Sequence, residues 1–344
     1  MARHTDPPAS GRSSVLPSRP TRLGRFDVLA KIAGGGMASI YLARATNSPD
    51  VVALKVMRQD MSEADENFVR MFIDEANLIA KLEHPGIVRT LEVGLDAGQR
   101  FIAMELLLGK TLANVYDAVV EHHMRIDAEL VAWIGARIAD ALAYAHRATD
   151  DRGQPLSIIH RDVNPANVFV TFDGEVKLFD FGLAKTTQAN AKSVPGIVKG
   201  KLPYLSPEQI MQMPLDHRSD LFGLGTSLWE LLTGKRLFHR PTDGETLRAV
   251  HVGPIPDVRS VDPTIPIPLS EIIAKALQRN RDHRYESADR FRDDLDAAAG
   301  ARAARAKTEI AGILDALFPG ERKRQLGLRK PAIVIAAKKP PSRT

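Results

Sequence analysis

The chain has 344 residues and a net charge of +5; 44% of it is hydrophobic and it contains no cysteine. That composition supports a sizeable core and excludes wholesale disorder, a disulfide framework and any thiolate metal site. The positive charge sits at the ends, five arginines against Asp6 in 1–25 and eleven Lys or Arg against Glu309, Asp315 and Glu321 in 300–344, so the middle is net acidic, the reverse of a nucleic-acid-binding core, and no nucleic-acid partner is expected.

Residues 1–23, rich in Pro, Ser and Arg, read as a disordered leader, and Arg3, Arg12 and Arg19 interrupt any secretory signal. From Phe26 to Val56, β-rich runs surround the glycines Gly34, Gly35 and Gly36. Strands are expected at Ile40–Ala43 and Val51–Val56, with Asn47–Asp50 as the turn. Ser62–Leu82 carries Phe68, Phe72, Ile73, Ala76, Ile79 and Ala80 at helical spacing, and Pro85 stops it. Strands follow at Ile87–Val93 and Arg100–Leu106. Beyond Gly109, helical patterns dominate, at Leu112–His122, Asp127–Thr149, Leu221–Leu232, Ser270–Gln278 and Ser287–Ala298. Short strands near Val168–Val170 and Val176–Leu178 bracket an Asp173-Gly174 turn, a strong hairpin signal. The class is α+β, a small β-rich lobe with one helix, a hinge near Glu105–Gly109 and a larger helical lobe.

The end of the chain is basic. Lys307–Phe318 has Ile310, Ile313, Leu314 and Leu317 at helical spacing, which predicts an amphipathic helix packed on the larger lobe or on a partner, self-association included. Arg322-Lys323-Arg324 and the Lys/Pro-rich remainder read as a tail. No apolar run approaches the roughly 18 residues of a membrane span, the best being Pro331–Ala337. A soluble, cytoplasmic protein is the simplest expectation.

Glycines between two strands let backbone N–H groups approach phosphates, although three in a row are also an ordinary hairpin tip. No Gly-Lys-Ser/Thr follows them, so this is no Walker A loop. In Val52-Ala53-Leu54-Lys55 a lysine stands within an apolar strand; it is either a strand-end surface residue or a buried cation needing a carboxylate such as Glu75. Then come His160-Arg161-Asp162-Val163-Asn164-Pro165-Ala166-Asn167 and Asp180-Phe181-Gly182. Pairing across the Asp173-Gly174 turn brings Asn167 towards Asp180, and an amide oxygen with a carboxylate suits Mg²⁺. Four motifs in compatible order do not arise from unrelated loops.

These motifs resemble the protein kinase superfamily, specifically the bacterial Ser/Thr kinases of eukaryotic type, over residues 24–298. The resemblance implies the bilobal protein kinase fold, an N-lobe of about 24–108 and a C-lobe of about 109–298, with 299–344 as an extension. It implies ATP and Mg²⁺ as cofactors and protein hydroxyls of Ser or Thr as acceptors. The loop of Ala33, Gly34, Gly35, Gly36, Met37 and Ala38, flanked by Ile32 and Ile40, would cover the nucleotide. Lys55 would hold the α/β-phosphates while pairing with Glu75. Asp162 would orient the substrate hydroxyl, and Asn167 with Asp180 would hold the metal. Met104 falls at the gatekeeper position, backbone groups of Glu105 and Leu107 would face the adenine, and Ala53 and Phe169 would sandwich it. Glu208 of Ser206-Pro207-Glu208 is expected to pair with Arg284, and Asp220 to brace the catalytic loop.

Four positions depart from the family pattern. Alanines 33 and 38 replace the outer glycines of the loop. Asn164 stands where the Ser/Thr members place lysine two residues after the catalytic aspartate, and Lys201 where they place threonine. The expectation is that the ammonium has changed position, Lys201 supplying the γ-phosphate charge; contact with substrate or solvent alone is the alternative. Arg161 is a candidate receptor for a phosphorylated activation loop, which spans about Leu183–Leu205 and offers Thr186, Thr187 and, as first expected site, Ser193. Two rival readings stand beside a Ser/Thr kinase, a pseudokinase or nucleotide-binding scaffold, and a kinase for tyrosine.

Overall fold

The computed structural model describes residues 21–34, 38–46, 48–57, 76–77, 79–181 and 201–328. Glu75, the loop tip Gly35–Met37 and the loop residues Thr186, Thr187 and Ser193 lie outside them, as do both ends of the chain and most of the first expected helix.

The N-lobe is a six-stranded sheet ordered β1-β2-β3-β4-β6-β5. Its strands are β1 (Arg22–Leu23), β2 (Phe26–Gly34), β3 (Ala38–Ala45), β4 (Val51–Met57), β5 (Thr90–Asp96) and β6 (Gln99–Glu105). The register pairs Ile40 with Lys55, Leu42 with Ala53, Ala53 with Met104 and Lys55 with Ile102. Because side chains alternate along a strand, these residues share one face of the sheet. The other face closes a small core of Phe26, Ala43, Val52, Leu54, Val56, Phe101 and Ala103.

A strand expected to start at Ile87 starts at Thr90 instead. Ile87 and Val88 have another partner: Leu178 donates to the Gly86 carbonyl at 2.7 Å and accepts from Val88 N–H at 2.9 Å. That bridge joins the lobes behind the cleft.

In the C-lobe, β7 (Gly109–Thr111), β8 (Val168–Thr171) and β9 (Val176–Leu178) form an antiparallel sheet in that order. The β8–β9 turn needs a glycine, since Gly174 has φ +79°. The helices are α1 (Leu112–Glu121), α2 (Ala128–His146), α3 (Pro207–Ile210), α4 (Arg218–Thr233), α5 (Asp243–Val252), α6 (Val258–Val261), α7 (Ile267–Ala276), α8 (Ala288–Ala299), α9 (Ala303–Leu317) and α10 (Glu321–Leu328). Helix α2 is the axle: it is buried on nearly every side, and the Asp127 side chain caps it by accepting from Glu129 N–H. Of these, β1, β7, α5 and the short α3 and α6 had no strong sequence signal.

At the C-terminal end one expectation is met, with packing on the larger lobe as the alternative realised, and one is changed. The amphipathic stretch forms α9, and its face of Ala306, Ile310, Leu314 and Leu317 is spent on the chain's own C-lobe core. The expected tail from Arg322 begins instead as helix α10. Among the described residues no helix is long and apolar enough to cross a membrane.

Candidate active site

The shared sheet face and the β8–β9 hairpin bring two lysine–aspartate pairs into the interlobe cleft. Lys55 in β4 reaches across to Asp180, just past β9, with Nζ 2.5 Å from Oδ1. Side-chain exposures of 17% and 27% leave the pair partly screened. This settles the reading of Lys55 against a free surface lysine. Its expected partner Glu75 is outside the described residues.

Asp162 is the second centre. Asn164 donates to its Oδ1 at 3.2 Å and to its carbonyl at 2.9 Å. Asn167 donates to its Oδ2 at 2.9 Å and to its carbonyl at 2.8 Å. The Lys201 ammonium, from the end of the activation segment, is ion-paired with the same Oδ2. Asn164 itself is buried and caps the short 3-10 turn Pro165–Asn167, accepting from Ala166 N–H at 2.9 Å. The asparagine therefore folds back onto the loop, and the cation at this carboxylate comes from Lys201.

The hairpin carries the residue before Asp180 alongside Asn167, since Phe179 N–H donates to the Asn167 carbonyl at 3.0 Å. The Asn167 amide nitrogen is committed to Asp162, which turns its oxygen away from that carboxylate. An amide oxygen and a carboxylate of one charge are hard donors of the kind a divalent cation shared with phosphates takes, so the residues fit Mg²⁺. Among the described residues no cluster of three or more His, Asp or Glu offers an all-protein metal site.

The loop bearing Asp162 is held from beneath. The buried Asp220 carboxylate accepts from His160 N–H at 2.8 Å, Arg161 N–H at 2.7 Å and the His146 ring at 2.8 Å. Burial pushes this carboxyl up, but the His146 bond and the neighbouring histidines outweigh it, and it lies below the usual range. His160 is wholly buried, and burial lowers its pKa from 6.5. Its ring donates from Nε2 to the Phe179 carbonyl at 3.0 Å and accepts on Nδ1 from Asp162 N–H at 3.2 Å, which is the neutral tautomer. Arg161 and Asp180 have φ of +63° and +60°, a left-handed conformation that this packing must enforce.

The C-lobe landmarks converge as expected. Glu208 and Arg284 form a bidentate buried pair at 2.6 and 2.7 Å, with Ser219 donating to Glu208 at 2.8 Å. Arg284 holds the Glu208 carboxyl below its ordinary value despite burial, which pushes the other way. Three contacts had no clear sequence signal because their partners are distant. Lys177 in β9 pairs with Glu105 at the hinge at 2.8 Å. Gln209 donates to the Arg161 carbonyl at 2.8 Å, tying the segment after Lys201 to the catalytic loop. Glu230 is buried beneath Tyr204 and Arg236, at 2.7 and 2.9 Å.

Of the residues expected around a nucleotide, Ile40, Ala53, Lys55 and Met104 share the cleft-side sheet face; Ala33 pairs with Ile40 and Gly34 with Ser39 at the β2–β3 turn. Glu105 N–H is bonded to the Arg89 carbonyl at 3.0 Å. Phe169 lies in β8, half-buried, opposite Thr111 of β7.

Comparison with known proteins accords with this arrangement. The family described as Protein kinase domain matches residues 26–293. The tyrosine-protein kinase MasK of Myxococcus xanthus is 36% identical over 275 residues, 79% of this chain and 43% of the relative. The serine/threonine-protein kinase PrkC of Bacillus subtilis is 32% identical over 279 residues, 80% of this chain and 40% of the relative. The chain thus spans about two fifths of the length of these relatives. The crystal structure of the Mycobacterium tuberculosis PknI kinase domain superposes with a TM-score of 0.62 at 27% identity, covering 80% of this chain and 97% of that one. With its bilobal fold and 26–293 match, the chain belongs to the protein kinase domain family.

Proposed function

We propose that the chain is an ATP-dependent protein kinase that transfers the γ-phosphate to serine or threonine hydroxyls. The observation that carries this is the pair of ion pairs in the cleft, Lys55 with Asp180 and Lys201 with Asp162, around the loop that bears Asn167. A scaffold without phosphotransfer has no need to keep both.

In this reading Ile32, Ala33, Gly34, Gly35, Gly36, Met37, Ala38 and Ile40 cover the nucleotide, and Ala53, Met104 and Phe169 contact the base with the Glu105 carbonyl and Leu107 N–H. Lys55, braced by Glu75, binds the α/β-phosphates. Asn167 and Asp180 would hold Mg²⁺, which supplies charge neutralisation on the phosphate oxygens. Asp162 holds the substrate hydroxyl in line with the γ-phosphorus. The new P–O bond forms as the bond to the bridging oxygen breaks, ADP departs, and the hydroxyl proton leaves towards Asp162. Lys201 places its ammonium where the transferred group's charge must be met, in place of the lysine that Asn164 does not supply. Cytoplasmic signalling is the setting this activity suits.

Acceptance by tyrosine is a second reading, favoured by Asn164 at the position that distinguishes the Ser/Thr branch and by the name of the M. xanthus relative. Radiolabelled phosphate transfer to a generic protein substrate, with Asp162→Ala as the control and phosphoamino-acid analysis of the product, tests both. No transfer by the unaltered chain refutes the kinase reading, and phosphotyrosine as sole product refutes Ser/Thr specificity.

A further inference from the structure

Strand β7 is an edge strand, and edge strands leave backbone groups without a ladder partner. At Gly109 both groups are taken by one side chain from the far end of the chain. Gln325 of α10 accepts from Gly109 N–H at 2.8 Å and donates to the Gly109 carbonyl at 3.1 Å. The glutamine amide thus stands in for a neighbouring strand, one residue long.

Helix α10 is fixed there by its neighbours. Glu321 pairs with Lys110 at 2.9 Å and with Arg324 at 2.6 Å. Lys110 also lies over the Phe318 ring at 4.9 Å. Ahead of it, α9 is seated on the β8–β9 turn: a β-carbon on Gly174 would lie 1.9 Å from the Lys307 carbonyl. Hydrogen bonds from Arg324 and Lys110 hold the Glu321 carboxyl down to about 2, so it stays ionised across the physiological range.

What lies on the other side of Gly109 gives the clamp its consequence. A β-carbon at Gly109 would sit 2.1 Å from the Val170 carbonyl oxygen and 2.9 Å from Cε1 of the Phe169 ring. The glycine backbone therefore rests directly against the residue assigned to the adenine. Gln325, Gly109 and Phe169 form a chain of two contacts from the C-terminal helix to the nucleotide site.

We propose that Gln325 is a positioning residue for nucleotide binding, clamping Gly109 so that the Phe169 ring is held under the base. The clamp rests on the assignment of Phe169 made above. It makes α9–α10 a working part of the kinase domain, and it makes nucleotide affinity respond to whatever lifts α10 from β7.

The test is Gln325→Met in the full chain, which keeps the side-chain length and removes both bonds. Binding of a fluorescent ADP analogue with Mg²⁺ is expected to weaken about three- to tenfold, as loss of two ordinary hydrogen bonds allows. Amide exchange at Gly109 should quicken, KM for ATP should rise in step, and KM for the protein substrate should stay within about twofold on the same grounds. Gln325→Glu keeps the acceptor for Gly109 N–H and should fall between the two; it also carries the test should Gln325→Met not fold. Faster Gly109 exchange with unchanged ADP affinity overturns the proposal, as does an equal rise in both KM values. If the unaltered chain does not bind the ADP analogue, the nucleotide-site assignment itself is what fails.

Discussion

Replacing Lys201 with alanine tests where the catalytic charge resides. The ammonium pairs with Asp162 at a site where the lysine is 26% and the aspartate 9% exposed, so water screens it only in part. Two unit charges about 4 Å apart interact by about 4 kcal/mol at an effective dielectric of about 20. Removing a donor that meets developing transition-state charge typically costs about 10²–10³ in kcat. Partial exposure puts Lys201 at the lower end, so Lys201→Ala should lose about 10² in kcat with KM for ATP within about threefold. The compensating chain, Lys201→Thr with Asn164→Lys, should recover to within about tenfold of the original. Full recovery is not expected, because Asn164 also caps the turn at 165–167 and such a cap is worth about 1 kcal/mol. Single-turnover transfer of labelled phosphate, with nucleotide saturating, reads the chemical step directly. A Lys201→Ala chain that keeps more than half of its kcat would refute the reasoning.

The buried Glu208–Arg284 pair is a stability element: Arg284→Met leaves an unpaired carboxylate in the C-lobe core and should cost about 3–5 kcal/mol, read as a fall in Tm of roughly 6–15 °C. A fall of under about 2 °C would show the pair to be dispensable. His160 is held neutral with a lowered pKa, so the unfolded chain binds the extra proton below pH 6.5. Stability should therefore fall as pH drops from 6.5, and His160→Gln should flatten that slope in denaturant titrations between about pH 6.5 and 5. Gly174→Ala forces a β-carbon into the Lys307 carbonyl at a φ of +79°, and limited proteolysis should then cut within 300–328 sooner than in the unaltered chain. Unchanged cleavage would mean that α9 is not seated on this turn.

The parts of the site legible in the sequence are those whose residues are close along the chain or carry chemistry unusual for their surroundings. Asp162 and Asn167 are five apart, Lys55 interrupts an apolar strand, and Asp173-Gly174 announces the hairpin that carries Asp180 towards Asn167. The start of β5 is not legible in the sequence because Ile87 and Val88 have strand-like side chains but pair with Leu178 across the lobes. Helix α10 looks like tail in the sequence because Arg322-Lys323-Arg324 is strongly charged, and its anchors, Gln325 on Gly109 and Glu321 on Lys110, bridge more than 200 residues of sequence. Periodicity reports a helix's own face, and it is silent when a helix is held by polar side chains on a strand edge.

The donors around Asp162 bear on what that residue does. Its two carboxylate oxygens already accept from Asn164, Asn167 and Lys201, and its carbonyl from both asparagines. A carboxylate held at this many points has one orientation open to it. Phosphoryl transfer through a loose transition state asks for an aligned hydroxyl more than for early removal of its proton. For the proposed transfer, the fixed orientation favours Asp162 as an aligning group, with the proton leaving late. The same geometry explains why the cation can come from the activation segment: an aspartate fixed by two asparagines on its own loop keeps its position as Lys201 approaches. The Gln209 bond to the Arg161 carbonyl then joins the two segments a few residues further on.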